Sequence, residues 1–390
     1  MPAIALIDGE HHPAAVRELL DGLDLAGVIF CGGEEKLGPG SLQHHYGRAV
    51  ETDPDAALRR LAPAADAVIE LADEPVLPAS AKLRLAALAL SLGLRYEAPG
   101  TVFEPPRYAP VPFAGPKLAV IGTGKRTGKT AIAGHWATLL RDTGRRPVIV
   151  CMGRGGPPEP SVAEADTDLA DLLAIAAGGG HAASDYLEDA VLAGVRTVGC
   201  RRIGGGFAGA PAESNVPAGA VLASSLGPDA IIFEGSGACI PPVEVDRTVC
   251  IVGAGPPEPF AEYRIERADL VLAAERAEAP AGALRFRLEA EAAEQLPDEA
   301  RVAVFTTGGP APHGLDPIVA STNLARRAAL ADDLERARAE RCDVYLVELK
   351  AAAIDTVAPA AQVHGARIVF LRNRPFGIDE ALLELHRDVA

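Results

Sequence analysis

The chain has 390 residues, nearly half of them apolar; that is more than one core usually holds, so two or three domains are expected. Its formal net charge of −16 argues against nucleic acid or an anionic membrane as the bulk partner, and no stretch reaches the roughly 18 apolar residues of a membrane span. The opening MPAIALIDGE lacks the basic-then-apolar build of a signal peptide. Six cysteines with neither CxxC pairs nor zinc-ligand spacing fit buried free thiols, so a cytoplasmic location is expected.

Residues 1–98 read as a small α/β domain. Short apolar runs at Ile4–Asp8, Val28–Cys31 and Ala67–Leu71 suggest buried parallel strands, with helical patterns such as Ala14–Leu23 and Ala79–Leu92. Residues 99–116 carry Pro99, Pro105, Pro106, Pro110, Pro112 and Pro116, which points to a semi-rigid linker. Residues 117–310 hold strand candidates at Leu118–Ile121, Val148–Met152, Ala230–Phe233, Val249–Val252, Leu270–Ala273 and Val302–Phe305, several of them separated by amphipathic helices. That alternation predicts a doubly wound, mostly parallel α/β sheet. In residues 311–390, Val344–Val347 and Ile368–Leu371 flank the helix-like Ala351–Ala361; this segment either extends the central sheet or stands as its own lobe.

The strongest signal is Gly122-Thr-Gly-Lys-Arg-Thr-Gly-Lys-Thr130, lying between an apolar strand and a helix. This is the context of a P-loop, in which backbone N–H groups and the positive helix end cradle phosphates. Gly124, Lys125, Arg126, Thr127, Gly128, Lys129, Thr130 and Ala131 are the expected nucleotide contacts. Lys129 would reach the β and γ phosphates of ATP, and the Thr130 hydroxyl would hold Mg²⁺. The pattern is shifted: glycine stands at Gly122 and Thr123 occupies the usual glycine place. The arrangement resembles the loop of dethiobiotin synthetase and its relatives, which also carry a Glu-Gly-x-Gly sequence after a later strand. Glu234-Gly-Ser-Gly237 fits that sequence and makes Glu234 the second expected magnesium ligand. On the same analogy, Asp166-Thr-Asp168 is a weaker metal candidate.

Further Gly/Arg clusters follow at Cys151–Pro157 and Gly199–Gly206. Arginines beside glycine turns suit bidentate phosphate binding, so Lys125, Arg126, Lys129, Arg154, Arg201 and Arg202, with Gly155 and Gly205, are expected to line one anion pocket. That is more positive charge than one magnesium triphosphate needs, and it implies a second, polyanionic substrate. The acids of His181–Ala190 could orient an attacking group, hold Mg²⁺ or pair with these arginines; Asp185 could equally cap a helix. In the first domain the loops Asp8–Pro13 and Cys31–Leu37 follow strands, and either could face a ligand; His11 and His12 lack partners for a metal site.

Together the segments DGEHHP, GGEEKL, GTGKRTGKT, GRGGPPEP, HAASDYLEDA, GCRRIGGG, FEGSGA and VYLVELKAAAIDTVA resemble the cyclic 2,3-diphosphoglycerate synthetase family. Departures are His12 for a tyrosine, Glu34 for a threonine and Ile203 for a cysteine. The resemblance implies an ATP- and Mg²⁺-dependent ligase. Such an enzyme closes 2,3-diphosphoglycerate into a cyclic phosphoanhydride with release of ADP and phosphate, and also phosphorylates 2-phosphoglycerate. It implies catalytic roles for Lys129, Arg126, Lys125, Glu234 and Asp185, and substrate contacts at Arg154, Arg201, Arg202, Gly155, Gly205, Glu35 and Lys36. The competing readings are a 2-phosphoglycerate kinase alone, or a P-loop nucleotide switch that delivers metal. A homodimer is the default oligomer.

Overall fold

A computed structural model describes residues 2–255, 260–309 and 311–390; the expected domain boundary at 310 lies outside the described residues. The chain divides into two compact units. The first runs from the amino terminus to Arg107 and takes in Gly206–Ala210 and a segment ending at Arg267. Among its described residues are β1 (Ala3–Ile7), β2 (Leu25–Phe30), β3 (Ala67–Glu70), β4 (Arg95–Ala98) and β5 (Thr101–Phe103), in the order β2-β1-β3-β4-β5. β5 falls where the proline-rich linker was expected. Pro99-Gly100, with Gly100 at φ 79°, forms a turn, and the next proline comes only at Pro105, so three residues are free to pair with β4. The two inserted segments join this unit through aromatic packing: the Phe103 ring lies 5.8 Å from that of Phe207 and 5.3 Å from that of Phe260.

The second unit is built on one sheet. Its strands are β6 (Lys117–Gly122), β7 (Pro147–Gly153), β8 (Ser161–Ala163), β9 (Arg196–Ile203), β10 (Glu213–Ser214), β11 (Ala230–Glu234), β12 (Arg247–Val252), β13 (Leu270–Ala274), β14 (Leu284–Ala292), β15 (Val302–Phe305), β16 (Val319–Ser321), β17 (Val344–Glu348) and β18 (Arg367–Phe376). The order is β10-β9-β7-β11-β6-β12-β13-β14-β18-β17-β15-β16, with β8 on β9. The C-terminal strands therefore extend the central sheet.

The direction of the strands changes once along this main path, apart from the short edge hairpin at β10. From β9 to β14 neighbours are parallel, β14 pairs antiparallel with β18, and β18, β17, β15 and β16 run parallel to one another. The register fixes what this reversal does. β13 ends opposite Phe286, early in β14, whereas β17 ends opposite Leu371, which pairs with Ala292 at the far end of β14. The carboxyl ends of the two half-sheets therefore face one another along the β14–β18 ribbon. The stretch of β14 from Phe286 to Ala292 separates them, roughly 20 Å of strand.

The core beneath the first half-sheet joins distant parts of the chain. Ile132, Trp136 and Leu140 of the helix Lys129–Asp142 pack with Val120, Ile149 and Ile232, and also with Ile378, Leu382 and Leu385 near the carboxyl terminus. His135 Nε2 and Asp379 Oδ1, 2.8 Å apart, tie the last helix, Asp379–Arg387, to the P-loop helix. No helix among the described residues is long and apolar enough to cross a membrane. All six cysteines are free thiols, five of them buried and Cys31 partly exposed.

Candidate active site

The P-loop forms as its sequence requires. Gly128 stands at φ 98° and starts the helix Lys129–Asp142, a conformation that would strain any residue with a Cβ. The shifted glycine has a steric cause: a Cβ on Gly122 would lie 2.5 Å from the Thr127 hydroxyl and 3.3 Å from the carbonyl of Ile251. Lys129 is folded back over its own loop, its Nζ donating to the Gly124 carbonyl at 2.8 Å and to Thr127 Oγ1 at 3.3 Å. Burial lowers its pKa, against the opposing pull of Glu234 and Asp185.

Glu234 ends β11 and is buried, accepting a hydrogen bond from Thr130 Oγ1 at 2.6 Å. Burial and the neighbouring Asp185 charge push its carboxyl up to about 8. Behind it, Asp189 is also buried and accepts from the Cys151 thiol at 3.2 Å; burial and the charge of Glu234 raise its pKa well above the carboxylate range. Asp185, Glu188 and Asp189 share one face of the helix Asp185–Ala193, at the i, i+3 and i+4 positions.

A cavity of about 1310 Å³ opens over this loop. Sites for one small ligand usually measure about 300–1,000 Å³, so the space admits a nucleotide and a second small molecule. Lys125 to Ala131, Arg154, Asp185 and Glu234 line one side. Thr307, Glu348, Lys350, Arg372 and Arg374 line it from the reversed half-sheet, and Leu288 and Leu371 add apolar surface. Arg154, Arg202 and Lys125 converge near Gly237: a Cβ there would lie 2.7 Å from an Arg154 Nη, 3.4 Å from an Arg202 Nη and 3.5 Å from Lys125 Cγ.

Several expected residues lie elsewhere. Arg201 and Arg202 sit within β9, not in a loop beyond it, because the strand continues to Ile203 through its pairing with β7 and β10. Gly199 permits this, since a Cβ there would meet the Tyr186 ring at 2.6 Å. Successive side chains of a strand point to opposite faces, so the two arginines separate. Arg201 reaches the exposed Glu213 at 3.5 Å. Arg202 is buried and donates to the carbonyls of Gly204 at 2.6 Å and Ser236 at 2.9 Å, clamping the loop after Glu234 close to the cavity-lining Gly237. Neither arginine lines the cavity, and neither do Gly155 and Gly205; Gly155 packs beside His181 and Gly205 beside Cys239. Asp168 is the N-cap of the helix Leu169–Ala177, in a capping box with Asp171.

Glu35 and Lys36 belong to the first unit, in a short turn at Glu34–Lys36 where Lys36 Nζ pairs with Glu10 at 2.6 Å. The adjoining loop is pinned by the fully buried Asp8, which accepts from the backbone N–H groups of Glu10, His11 and Asp73. The His11 ring lies 2.8 Å from Asp8, and His12 caps a helix.

Sequence reasoning named Glu188 and Asp189 only among the acids of His181–Ala190, and gave no role to Thr307, Glu348, Lys350, Arg372 or Arg374. The available signal for Glu348 and Lys350 was a pair of charges directly after the apolar run Val344–Val347, inside a segment already singled out.

The sequence matches the cyclic 2,3-diphosphoglycerate synthetase N-terminal domain over residues 2–104, the P-loop domain over residues 117–289 and the C-terminal domain over residues 311–374. The chain belongs to this family. The cyclic 2,3-diphosphoglycerate synthetase of Rubrobacter xylanophilus is 41% identical over 99% of this chain and 97% of its own length. That of Thermococcus onnurineus is 37% identical over 98% of each. Among solved structures, LpxK from Aquifex aeolicus aligns over 73% of this chain and 90% of its own, with 15% identity and a TM-score of 0.42. Family membership and the P-loop geometry together describe an ATP-using synthetase.

Proposed function

We propose that the cavity closes 2,3-diphosphoglycerate into its cyclic phosphoanhydride at the expense of ATP, and that it also phosphorylates 2-phosphoglycerate. One observation carries the reading: a P-loop, with Arg154 from outside it converging on its Lys125, shares one cavity larger than a nucleotide needs. In the first step the γ-phosphoryl group passes from ATP to an oxygen of one substrate phosphate, leaving ADP. In the second, an oxygen of the other phosphate attacks the substrate phosphorus and expels inorganic phosphate. The two phosphates repel each other, and Lys125 and Arg154 offset that repulsion. Holding both in one cleft makes the closure intramolecular, an advantage on the order of 7–11 kcal/mol.

The residues present fit Mg²⁺. A buried carboxylate and a hydroxyl 2.6 Å apart at the end of the P-loop form the hard oxygen pair that this ion prefers. A carboxyl held near 8 without a cation gains its charge when one binds. Thr130 and Glu234 would hold the ion, which supplies charge neutralisation at the phosphates. Lys129 leaves the Gly124 carbonyl to bind the phosphoryl group in transfer, and Arg126 and Asp185 stand beside it.

Phosphorus NMR of the protein with ATP, Mg²⁺ and 2,3-diphosphoglycerate tests the reading. Expected are new anhydride resonances from the cyclic product, growing in step with ADP. ATP consumption without them overturns the cyclase reading. Unchanged 2-phosphoglycerate in the parallel reaction removes the kinase activity.

A further inference from the structure

The segment Val344–Ala358 brings Glu348 and Lys350 to the cavity from the reversed half-sheet. β17 stops at Glu348, Leu349 is buried, and Lys350 follows at the strand's carboxyl end. The backbone beyond is a π-helix, Ala353–Val357, a conformation found mostly as single turns at functional sites. It is firmly held. Leu349, Ala353, Ile354 and Val357 are buried in one core cluster, and Asp355 receives a two-pronged ion pair from Arg327 at 2.8 and 2.6 Å. A fixed backbone thus presents a side chain that remains 43% exposed in the cavity.

The surroundings of Lys350 are carboxylates. Its Nζ lies 3.0 Å from Glu188 and 4.0 Å from Glu348. Glu348 is itself oriented by Thr307, whose N–H and hydroxyl donate to it at 2.8 and 2.7 Å. Asp185, one turn before Glu188, stabilises the charge of both Lys129 and Lys350. One carboxylate thus favours the charge of two lysines, each carried by its own half-sheet. The other cations of this wall are engaged on the ribbon: Arg372 pairs with Glu291 at 2.7 Å, and Arg374 stacks 5.0 Å from the centre of the Phe376 ring. Glu188 differs from Glu291 as a partner, because burial disfavours its charge and Asp185 and Glu348 crowd it. It can surrender Lys350 to a stronger anion.

We propose that Lys350 binds the phosphate of the acceptor that is not being phosphorylated, exchanging Glu188 for it. The inference rests on the acceptor reading above. A bisphosphate would be gripped at both ends, by Lys125 and Arg154 beside the P-loop and by Lys350 from the facing wall. The displaced Glu188 then takes up a proton or turns towards water.

The test compares wild type, Lys350→Ala, Lys350→Arg and Glu188→Gln in the cyclisation assay, with nucleotide affinity measured separately by calorimetry. Wild type that forms no cyclic product defeats the acceptor reading itself. With an active wild type, Lys350→Ala is expected to raise the KM for 2,3-diphosphoglycerate about ten- to a hundredfold, the size of one lost charge-assisted hydrogen bond. ATP affinity should change less than about twofold, and Lys350→Arg should recover most of the loss. Glu188→Gln removes the competitor, so its KM should fall. If KM rises alike in Lys350→Ala and Glu188→Gln, with matching losses of melting temperature, the pair is only a structural tie and the proposal is overturned. A KM for 2,3-diphosphoglycerate unchanged in Lys350→Ala overturns it as well.

Discussion

The two walls of the cavity come from one sheet but hold their charges in different ways. On the P-loop wall, Lys125, Lys129 and Arg154 sit in or beside glycine-rich turns, where the backbone itself takes part in shaping the site. On the facing wall, Glu348 and Lys350 follow an ordinary buried strand, and Arg372 and Arg374 lie on a pleated ribbon. The first kind of wall must carry glycines, because Gly122 and Gly128 occupy positions where a Cβ would clash or strain. The second needs only the register between β14 and β18 to bring its side chains opposite the first. A site can therefore be strongly marked in sequence on one side and almost unmarked on the other.

The comparison can be broken most directly at the P-loop. Lys129→Ala should lower turnover by at least about a thousandfold, since phosphoryl transfer relies on positioning and charge. Measured ADP release close to wild type would move the phosphates away from this wall. Glu234→Gln should come next, with a loss of roughly a hundredfold in kcat and a higher Mg²⁺ requirement, read from a magnesium titration; an unshifted titration would remove Glu234 from the metal. A third pair of variants separates neighbours on one strand. Arg202→Ala gives up two hydrogen bonds from a charged, buried donor and should cost on the order of 3 kcal/mol of stability, together with activity, as the loop after Glu234 loosens. Arg201→Ala, on the opposite face, should melt and turn over like wild type. Equal effects would mean that Arg201 also holds the site together and that the strand does not separate the two arginines.

The remaining effect is in pH. In metal-free protein Glu234 keeps a proton that the unfolded chain has already lost between the ordinary carboxylate range and about 8. The folded state binds more protons across that window, so stability falls as pH rises through it. Melting curves in chelator from pH 5 to 8.5 should show that fall, and Glu234→Gln should flatten it. An unchanged slope would assign it to the other buried acids, Glu188 and Asp189, whose carboxyls are raised too.

How far the sequence could be read follows from the same contrast. Apolar runs announced β1, β6, β7, β11, β12 and β15, since parallel strands covered on both faces must be apolar throughout. β14 escaped notice. Its Arg-Phe-Arg-Leu-Glu-Ala-Glu pattern alternates charge with small or apolar groups, as suits a partly solvated ribbon, and no short apolar run marks it. Arg201 and Arg202 were placed beside a glycine turn, whereas Gly199 makes room for the Tyr186 ring and the strand β9 runs on through both. Glu234 was named from its loop sequence, whereas Asp189 was named only with the other acids of His181–Ala190, because a run of acids does not by itself say which of them turns inward. The side to which that helix turns is decided by packing.

The packing of the last helix has a consequence for how the protein is made. Trp136, in the middle of the P-loop helix, is fully buried, and Ile378, Leu382 and Leu385 belong to the core that covers it. Synthesis proceeds from the amino terminus, so the nucleotide loop leaves the ribosome long before these residues do. A nascent chain can assemble β6, β7 and β11 around the loop, yet the helix behind it stays uncovered until Ile378, Leu382 and Leu385 emerge. The facing wall is equally late, because β18 ends only at Phe376. Both sides of the cavity thus wait on residues far downstream of the nucleotide loop: one for the cover behind the P-loop helix, the other for the ribbon that carries the facing wall.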